Sequence, residues 1–300
     1  MSNKRWKEVL LSSGIPLEHD VIKTLEELCI DRPTEYKYER LNELGIPITF
    51  SVDVHGSKIY FDSNIYLELF IECKYRHDNT KWVFTPTNYD PYYCDSKKTL
   101  IVLDHLAGSL MDMEKLTNSL YMYDACEKGI ELLPKESNPK SIKESIQQLR
   151  YAVIEEVMDA LEHQVDKLLG NPSPIFVLAP IIVTTAELWR INPRNSMEDI
   201  RLAENLEDVA TQKDIIILHD EPDNEARRHS KKKFNDRFNS NQIEQMDERF
   251  YLYGLHNFKF FVDYFSSHYP SMFTIINYRK FKQVISSFLS YFERNDLFRS

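Results

Sequence analysis

The sharpest alternation of apolar and charged positions lies in Tyr66-Leu-Glu-Leu-Phe-Ile-Glu-Cys-Lys-Tyr-Arg76. It predicts a strand, in which successive side chains take opposite faces. Leu67, Leu69, Ile71 and Cys73 share one face, and Glu72 and Lys74 share the other. A carboxylate and an ammonium on so apolar a strand are costly to desolvate, which points to a task beyond solvation. Upstream, Ile46-Pro-Ile-Thr-Phe-Ser-Val-Asp-Val54 predicts a second strand whose single charge is Asp53. Further strands are predicted at 34–41, 58–61 and 81–85, separated by Gly45-Ile-Pro, His55-Gly-Ser and Asp78-Asn-Thr. Ahead of them, Leu17, Val21, Ile22, Leu25, Leu28 and Cys29 form one face of a helix, with Glu18 beside that face.

Beyond residue 86 the pattern predicts a loop to 112, with a strand or short helix around Thr99–Leu103. Helix in pieces follows from Asp112 to Leu133. The longest predicted helix is Ser141–Leu169, where Ile142, Ile146, Leu149, Val153, Val157, Leu161, Val165 and Leu168 recur at threes and fours. That period favours packing across a sheet over a coiled-coil dimer seam, which needs a strict heptad. The apolar run Ile175–Thr184 predicts a central strand, with Pro180 implying a bulge or an edge. Helix at 198–206, strand at 214–219, a polar loop from Asp220, helix at 256–266, strand at 271–276 and helix at 278–292 complete the reading. The order implies an α/β fold with a mixed sheet. Residues 1–110 would form the core that carries the charged strands, and residues 111–300 a helical and α/β elaboration sharing that core.

Composition narrows the classes. At 300 residues, 42 % hydrophobic and 28 % charged, the chain has the make-up of a globular protein. The net charge of −10 argues against non-specific coating of nucleic acid, while leaving room for a carboxylate site offset by a divalent cation. The phosphate-binding glycine motifs are absent, in keeping with only 7 glycines. The four cysteines, Cys29, Cys73, Cys94 and Cys126, lack zinc spacing, and Cys29 and Cys73 fall on predicted core faces. They read as reduced thiols of a cytoplasmic protein. No signal peptide and no membrane span are predicted, and no histidine reads as a zinc ligand.

Phosphodiester cleavage needs an activated water and neutralisation of charge on the phosphate, and Mg²⁺ held by carboxylates supplies both. Neighbouring strands lie about 4.8 Å apart, so Asp53 and Glu72 can reach one ion. The carbonyl of Cys73 is a further candidate ligand. Lys74 would hold the water or the phosphate, and Glu18 would orient a water from the helix. The rival carboxylate, Asp62, ranks lower because it sits beside a turn.

Phe50-Ser-Val-Asp-Val54, Leu69-Phe-Ile-Glu-Cys-Lys-Tyr-Arg76 and Lys81-Trp-Val-Phe84, preceded by Gly14-Ile-Pro-Leu-Glu-His-Asp-Val21, resemble the PD-(D/E)XK nuclease superfamily. The resemblance covers residues 14–84, about a quarter of the chain, and departs from the motif in having Val52 before Asp53. It implies a restriction-endonuclease-like mixed central sheet flanked by helices, with Glu18, Asp53, Glu72 and Lys74 at active-site positions. It also implies Mg²⁺ (or Mn²⁺) as cofactor and DNA as partner, in defence or repair. Double-strand cleavage would favour a homodimer. The alternative is a catalytically inactive nuclease-fold module that binds nucleic acid or protein.

Each candidate also has a plainer reading. Glu-x-Lys is common on exposed strands, and Glu18 could complement its helix dipole. Glu68 shares the Glu72 face, and Trp82 and Phe84 read as core. The basic run Arg227-Arg-His-Ser-Lys-Lys-Lys-Phe-Asn-Asp-Arg237 reads as a flexible solvated loop. Its functional alternative is a phosphate grip through Arg227, Arg228, Lys231, Lys232 and Lys233.

Overall fold

The computed structural model describes residues 5–41, 46–87, 99–107, 110–111, 125–133, 137–138, 140–167, 173–252 and 256–293. Two helices, α1 (Arg5–Ser12) and α2 (Ile15–Glu27), lead into strands β1 (Asp31–Leu41), β2 (Pro47–Tyr60), β3 (Ile65–Lys74) and β4 (Lys81–Pro86). Next come β5 (Ile101–Leu103), β6 (Ala125–Leu132), β7 (Ser137–Asn138), the long helix α3 (Lys140–Lys167), β8 (Ile175–Thr184) and β9 (Glu187–Ile191). The remainder is α4 (Met197–Leu202), β10 (Ala210–Lys213), β11 (Ile215–His219), α5 (Asn224–Arg237), α6 (Ser240–Leu252), α7 (Phe258–His268), β12 (Met272–Asn277) and α8 (Phe281–Phe292).

All twelve described strands join one mixed sheet in the order β1-β2-β3-β8-β12-β11-β6-β4-β9-β10, with β5 on β8 and β7 on β6. The β3–β8 and β8–β12 pairs are parallel, and β1–β2 and β2–β3 are antiparallel. The α/β class with a mixed sheet flanked by helices is therefore as the sequence implies. One face is covered by α3, whose Leu149, Val153, Val157 and Leu161 pack on Phe70, Phe84, Leu178 and Phe273. The opposite face is covered by α2 and α8, where Leu17, Val21, Leu25, Ile285 and Leu289 meet Val54, Leu69, Ile71 and Val183. Each layer removes apolar side chains from water, the dominant favourable term in folding. The α3 stripe lies on the sheet, as its period implies.

Several local expectations fail for identifiable reasons. Residues 46–54 and 58–61 are one strand, because Gly56 pairs with Leu69 in an unbroken ladder and does not turn the chain. A Cβ on Gly56 would come within 2.6 Å of the Ile30 side chain, so glycine serves close packing there. Residues 125–132 are strand β6, not helix, and their partners β4 and β11 are distant in sequence. Cys94 and residues 112–124 of the expected helix lie outside the described residues.

Pro180 sits in the central strand β8 opposite Phe70 of β3. On the other side of β8 the ladder passes from β5 at Leu178 to β12 at Ile181, so proline occupies the gap where no donor is required. The polar stretch after Asp220 is helical: Asp223 caps α5 by accepting the Ala226 N–H at 2.8 Å, and Phe234 is fully buried. Cys29 is exposed because the chain has already left the helix and takes φ 57 there. No helix among the described residues is long and apolar enough to cross a membrane.

Candidate active site

The site forms where two neighbouring strands part. The β2–β3 ladder runs from Tyr60–Ile65 to Val54–Ile71. Beyond Val54, β2 stays with β1, whose register slips between the Thr34–His55 and Tyr36–Val52 pairs. That slip is a β-bulge at Asp53–Val54, a device that bends a strand and re-aims its side chains. β3 meanwhile continues beside β8 as far as Lys74–Thr184. The result is a fork, with Asp53 on one arm and Glu72 and Lys74 on the other.

A side-chain bond crosses the fork where the β2–β3 ladder has ended, and others anchor the end of β3 on its β8 side. The Cys73 N–H donates to Asp53 Oδ2 at 2.7 Å. The Lys74 carbonyl accepts from Thr184 Oγ1 at 2.9 Å, and the Arg76 N–H donates to Thr185 Oγ1 at 2.7 Å. Arg76 in turn reaches Glu131 at 2.8 Å and bonds Ser141, tying the end of β3 to β6 and α3. On the other arm, the Gln148 side chain of α3 donates to the Ser51 carbonyl at 3.3 Å.

Glu72 is 1 % exposed. Its Oε1 accepts from Lys74 Nζ at 2.6 Å, and its Oε2 has no hydrogen-bond partner. Burial first, then the nearby Asp53 carboxylate, push the Glu72 carboxyl up to about 7, despite the opposing pull of Lys74. Asp53 is also held above its ordinary range, chiefly by burial and against the Cys73 N–H and Lys74. Glu18 stands in the first turn of α2, half-buried, and its carboxyl is raised by burial, then by Asp53 and Glu35, with Lys74 opposing. All four sequence-selected residues therefore lie in one electrostatic field at the fork.

Cys73 sits between Glu72 and Lys74 at the fork. Its N–H is spent on Asp53, and its side chain is buried among the apolar residues of the α2 face. Asp62 is exposed in the turn between β2 and β3, at the far end of the strand from Glu72. Trp82 and Phe84 are fully buried, as read.

Glu35 is the residue missed from sequence. It lies on β1 opposite the bulge, hydrogen-bonds Ser51, and adds its charge to the field at Glu18 and Asp53. Its signal was present only as a charge on the strand preceding Asp53, and the bulge that brings it close has no mark in the pattern.

The basic run lies elsewhere, on α5. Lys233 pairs with Glu155 at 2.6 Å, Lys231 with Asp263 at 2.7 Å, and Arg227 approaches Glu221 at 4.0 Å. Arg228 Nε donates to the Asn224 carbonyl at 3.2 Å, and Lys232 lines a cleft of about 470 Å³ with Arg40 and Arg237. A second, polar cleft of about 860 Å³ opens at the Lys74 end of the sheet. Thr185, whose N–H donates to the Lys74 carbonyl at 3.3 Å, lines it together with Asn277, Arg279 and Lys280.

Two carboxylates with one free buried oxygen, a third across the fork, and a single ammonium leave excess negative charge that a divalent cation would offset. The donor set is all oxygen, which suits Mg²⁺ or Mn²⁺. No family model matches the chain, and neither a curated protein nor a solved structure matches it.

Proposed function

We propose that the chain is a metal-dependent nuclease with a restriction-endonuclease-like core, hydrolysing phosphodiester bonds in DNA. The observation that carries this reading is the buried, unpaired Oε2 of Glu72 facing the same fork as Asp53 and Lys74. An orphaned buried carboxylate oxygen is expensive in a protein interior unless a ligand uses it.

Asp53 and Glu72 would hold Mg²⁺ or Mn²⁺, and the ion would supply charge neutralisation and a more acidic water. The residues' own parts follow from their positions. Lys74, on the rim and hydrogen-bonded to Glu72, can swing its Nζ from that carboxylate to a phosphate oxygen. Glu18, its carboxyl raised, can accept a proton from a water held between α2 and the fork. The Cys73 N–H fixes the rotamer of Asp53. A nucleic-acid backbone entering the polar cleft beyond Lys74 would meet Lys213, Arg279 and Lys280 beside Asp78, Glu187 and Asp214, with Lys280 already paired to Asp214 at 3.7 Å. Cleavage of both strands would call for a second copy of the chain.

Plasmid nicking by the purified chain with Mg²⁺ or Mn²⁺ tests the reading. Activity is expected from the wild type and lost in Glu72→Gln, Asp53→Asn and Lys74→Met. Wild-type protein that stays inert with both metals on DNA and on RNA would leave a non-catalytic module, the reading favoured by the closed Lys74–Glu72 pair.

A further inference from the structure

A second cluster lies four residues back along β3. Glu68 shares the α3-facing side of the strand with Phe70 and Glu72, and its side chain is 2 % exposed. His55 of β2 lies beside it, with Nε2 2.8 Å from Glu68 Oε2. Glu156 of α3 closes the group from above. One ligand atom from each of the three residues lies within 4.8 Å of the others.

His55 satisfies Glu68 Oε2, but the other oxygen of that carboxylate is not satisfied. Glu68 Oε1 is buried without a donor, and its neighbour is the Glu156 carboxyl. Two carboxyl groups in contact can satisfy each other only by trapping a proton between them; the other solution is a cation. Asp159 adds a further negative charge nearby, although Arg237 holds it at 2.6 Å. Burial pushes the Glu68 carboxyl up to about 8, with Asp159 adding to the rise and a hydrogen bond from Glu156 opposing it; burial and then the Glu68 charge push Glu156 up to about 8 against the pull of His55.

The supporting shell is that of a positioned ligand set. The His55 ring is wedged between Tyr36, at 5.2 Å between centroids, and Phe70, at 4.6 Å. The Tyr36 hydroxyl hydrogen-bonds Glu156. Such outer contacts fix the orientation of metal-binding side chains. The His55 side chain is 20 % exposed, so the cluster has an entrance from solvent.

We infer that His55, Glu68 and Glu156 bind a divalent transition-metal ion, Zn²⁺ or Mn²⁺ in preference to Mg²⁺, at a site separate from the fork. One imidazole nitrogen and two carboxylates, with water in a fourth position, are a borderline-soft set that Mg²⁺ disfavours. Ligands about 2.0–2.2 Å from a tetrahedral ion stand about 3.3 Å apart. The His55–Glu68 edge of 2.8 Å would open slightly on binding.

The test is equilibrium dialysis of metal-stripped full-length protein against Zn²⁺, Mn²⁺ and Mg²⁺, with metal counted by mass spectrometry. The Asp53→Ala/Glu72→Ala double variant removes the fork and isolates the second site. That variant is expected to retain one Zn²⁺ per chain in the presence of millimolar Mg²⁺. Adding Glu68→Gln or His55→Gln is expected to weaken binding at least 100-fold. Visible absorption of Co²⁺, present in the double variant and lost with His55→Gln, reports imidazole ligation. Circular dichroism confirms that each variant is folded.

Absence of Zn²⁺, Mn²⁺ and Co²⁺ binding in the folded double variant would overturn the inference and leave a proton shared between the two carboxyls. Binding unaffected by both Glu68→Gln and His55→Gln would also overturn it. Neither result bears on DNA cleavage, which depends on the residues already removed in that background.

Discussion

Glu72→Gln should make the protein more stable while abolishing its activity. The folded environment raises the Glu72 carboxyl from 4.5 to about 7. Between those values the unfolded chain has released the proton and the folded chain still holds it, so stability falls as pH rises. Above pH 7 the accumulated loss is on the order of 3 kcal/mol. Gln is nearly isosteric with the neutral acid and still offers an oxygen to Lys74 Nζ, so the variant escapes most of that loss. The expected gain is about 2–3 kcal/mol at pH 8 and under about 1 kcal/mol at pH 5. At roughly 2 °C per kcal/mol for a chain of this size, the thermal midpoint should rise about 4–6 °C at pH 8. Differential scanning calorimetry at both pH values, in metal-free buffer, measures it. Saturating Mg²⁺ should then raise the wild-type midpoint and leave that of Glu72→Gln nearly unchanged. A variant less stable than wild type at pH 8, or a difference independent of pH, would mean that Glu72 serves the fold as an ion pair with Lys74.

Removing the ammonium instead should act in the opposite sense. Lys74→Met strips Glu72 of its one cationic partner, raises its carboxyl further, and should destabilise by about 1–3 kcal/mol at pH 8 with little effect at pH 5, as read by urea unfolding. Because Glu72 must ionise to hold a metal, Mg²⁺ affinity measured by calorimetry should climb as pH rises through about 7 and level off above it. Asp53→Asn keeps an oxygen for the Cys73 N–H and should remain folded without activity, whereas Asp53→Ala orphans that N–H and should lose a further 1–3 kcal/mol or so in denaturant titration. Away from the fork, Gly129→Ala places a Cβ 2.5 Å from the Phe84 ring and 3.0 Å from Ile142. It should destabilise by about 1–3 kcal/mol while leaving nicking per folded molecule unchanged.

What the sequence disclosed depended on whether the signal was local. Glu72 and Lys74 sharing a face, and the apolar set Leu67, Leu69, Ile71 and Cys73 opposite them, follow from a period of two within one strand. The α3 stripe follows from a period of 3.6 in the same way. β6 was unreadable because only its distant partners β4 and β11 make it a strand, and β9 and β10 because they are five and four residues long. The helix α5 was obscured by its charge: six of its residues are Lys or Arg, and its hold on α3 and α7 comes from Ala226, Ser230 and Phe234 on one narrow face. Glu68 was legible as a same-face neighbour of Glu72. His55 was hidden by a Gly-Ser neighbourhood that reads as a turn, and Glu156 by its place on a helix more than eighty residues away.

The fork explains how a cluster of carboxylates and an ammonium can sit in a sheet that is otherwise continuous. Parting two strands exposes backbone donors and acceptors that a packed interior cannot leave unpaired. Here the freed Cys73 N–H has a substitute in Asp53, while Thr184 and Thr185 hold the Lys74 carbonyl and the Arg76 N–H on the β8 side. The opening is therefore part of the folded state and not a frayed end. It also means that Asp53 cannot be judged by charge alone, since one oxygen secures the backbone while the other faces the fork. Glu72 accepts from the Asp53 backbone N–H and from Lys74 and still has one oxygen left over. A carboxylate kept buried, raised and half-unpaired destabilises the protein that carries it, and groups of that kind cluster at functional sites.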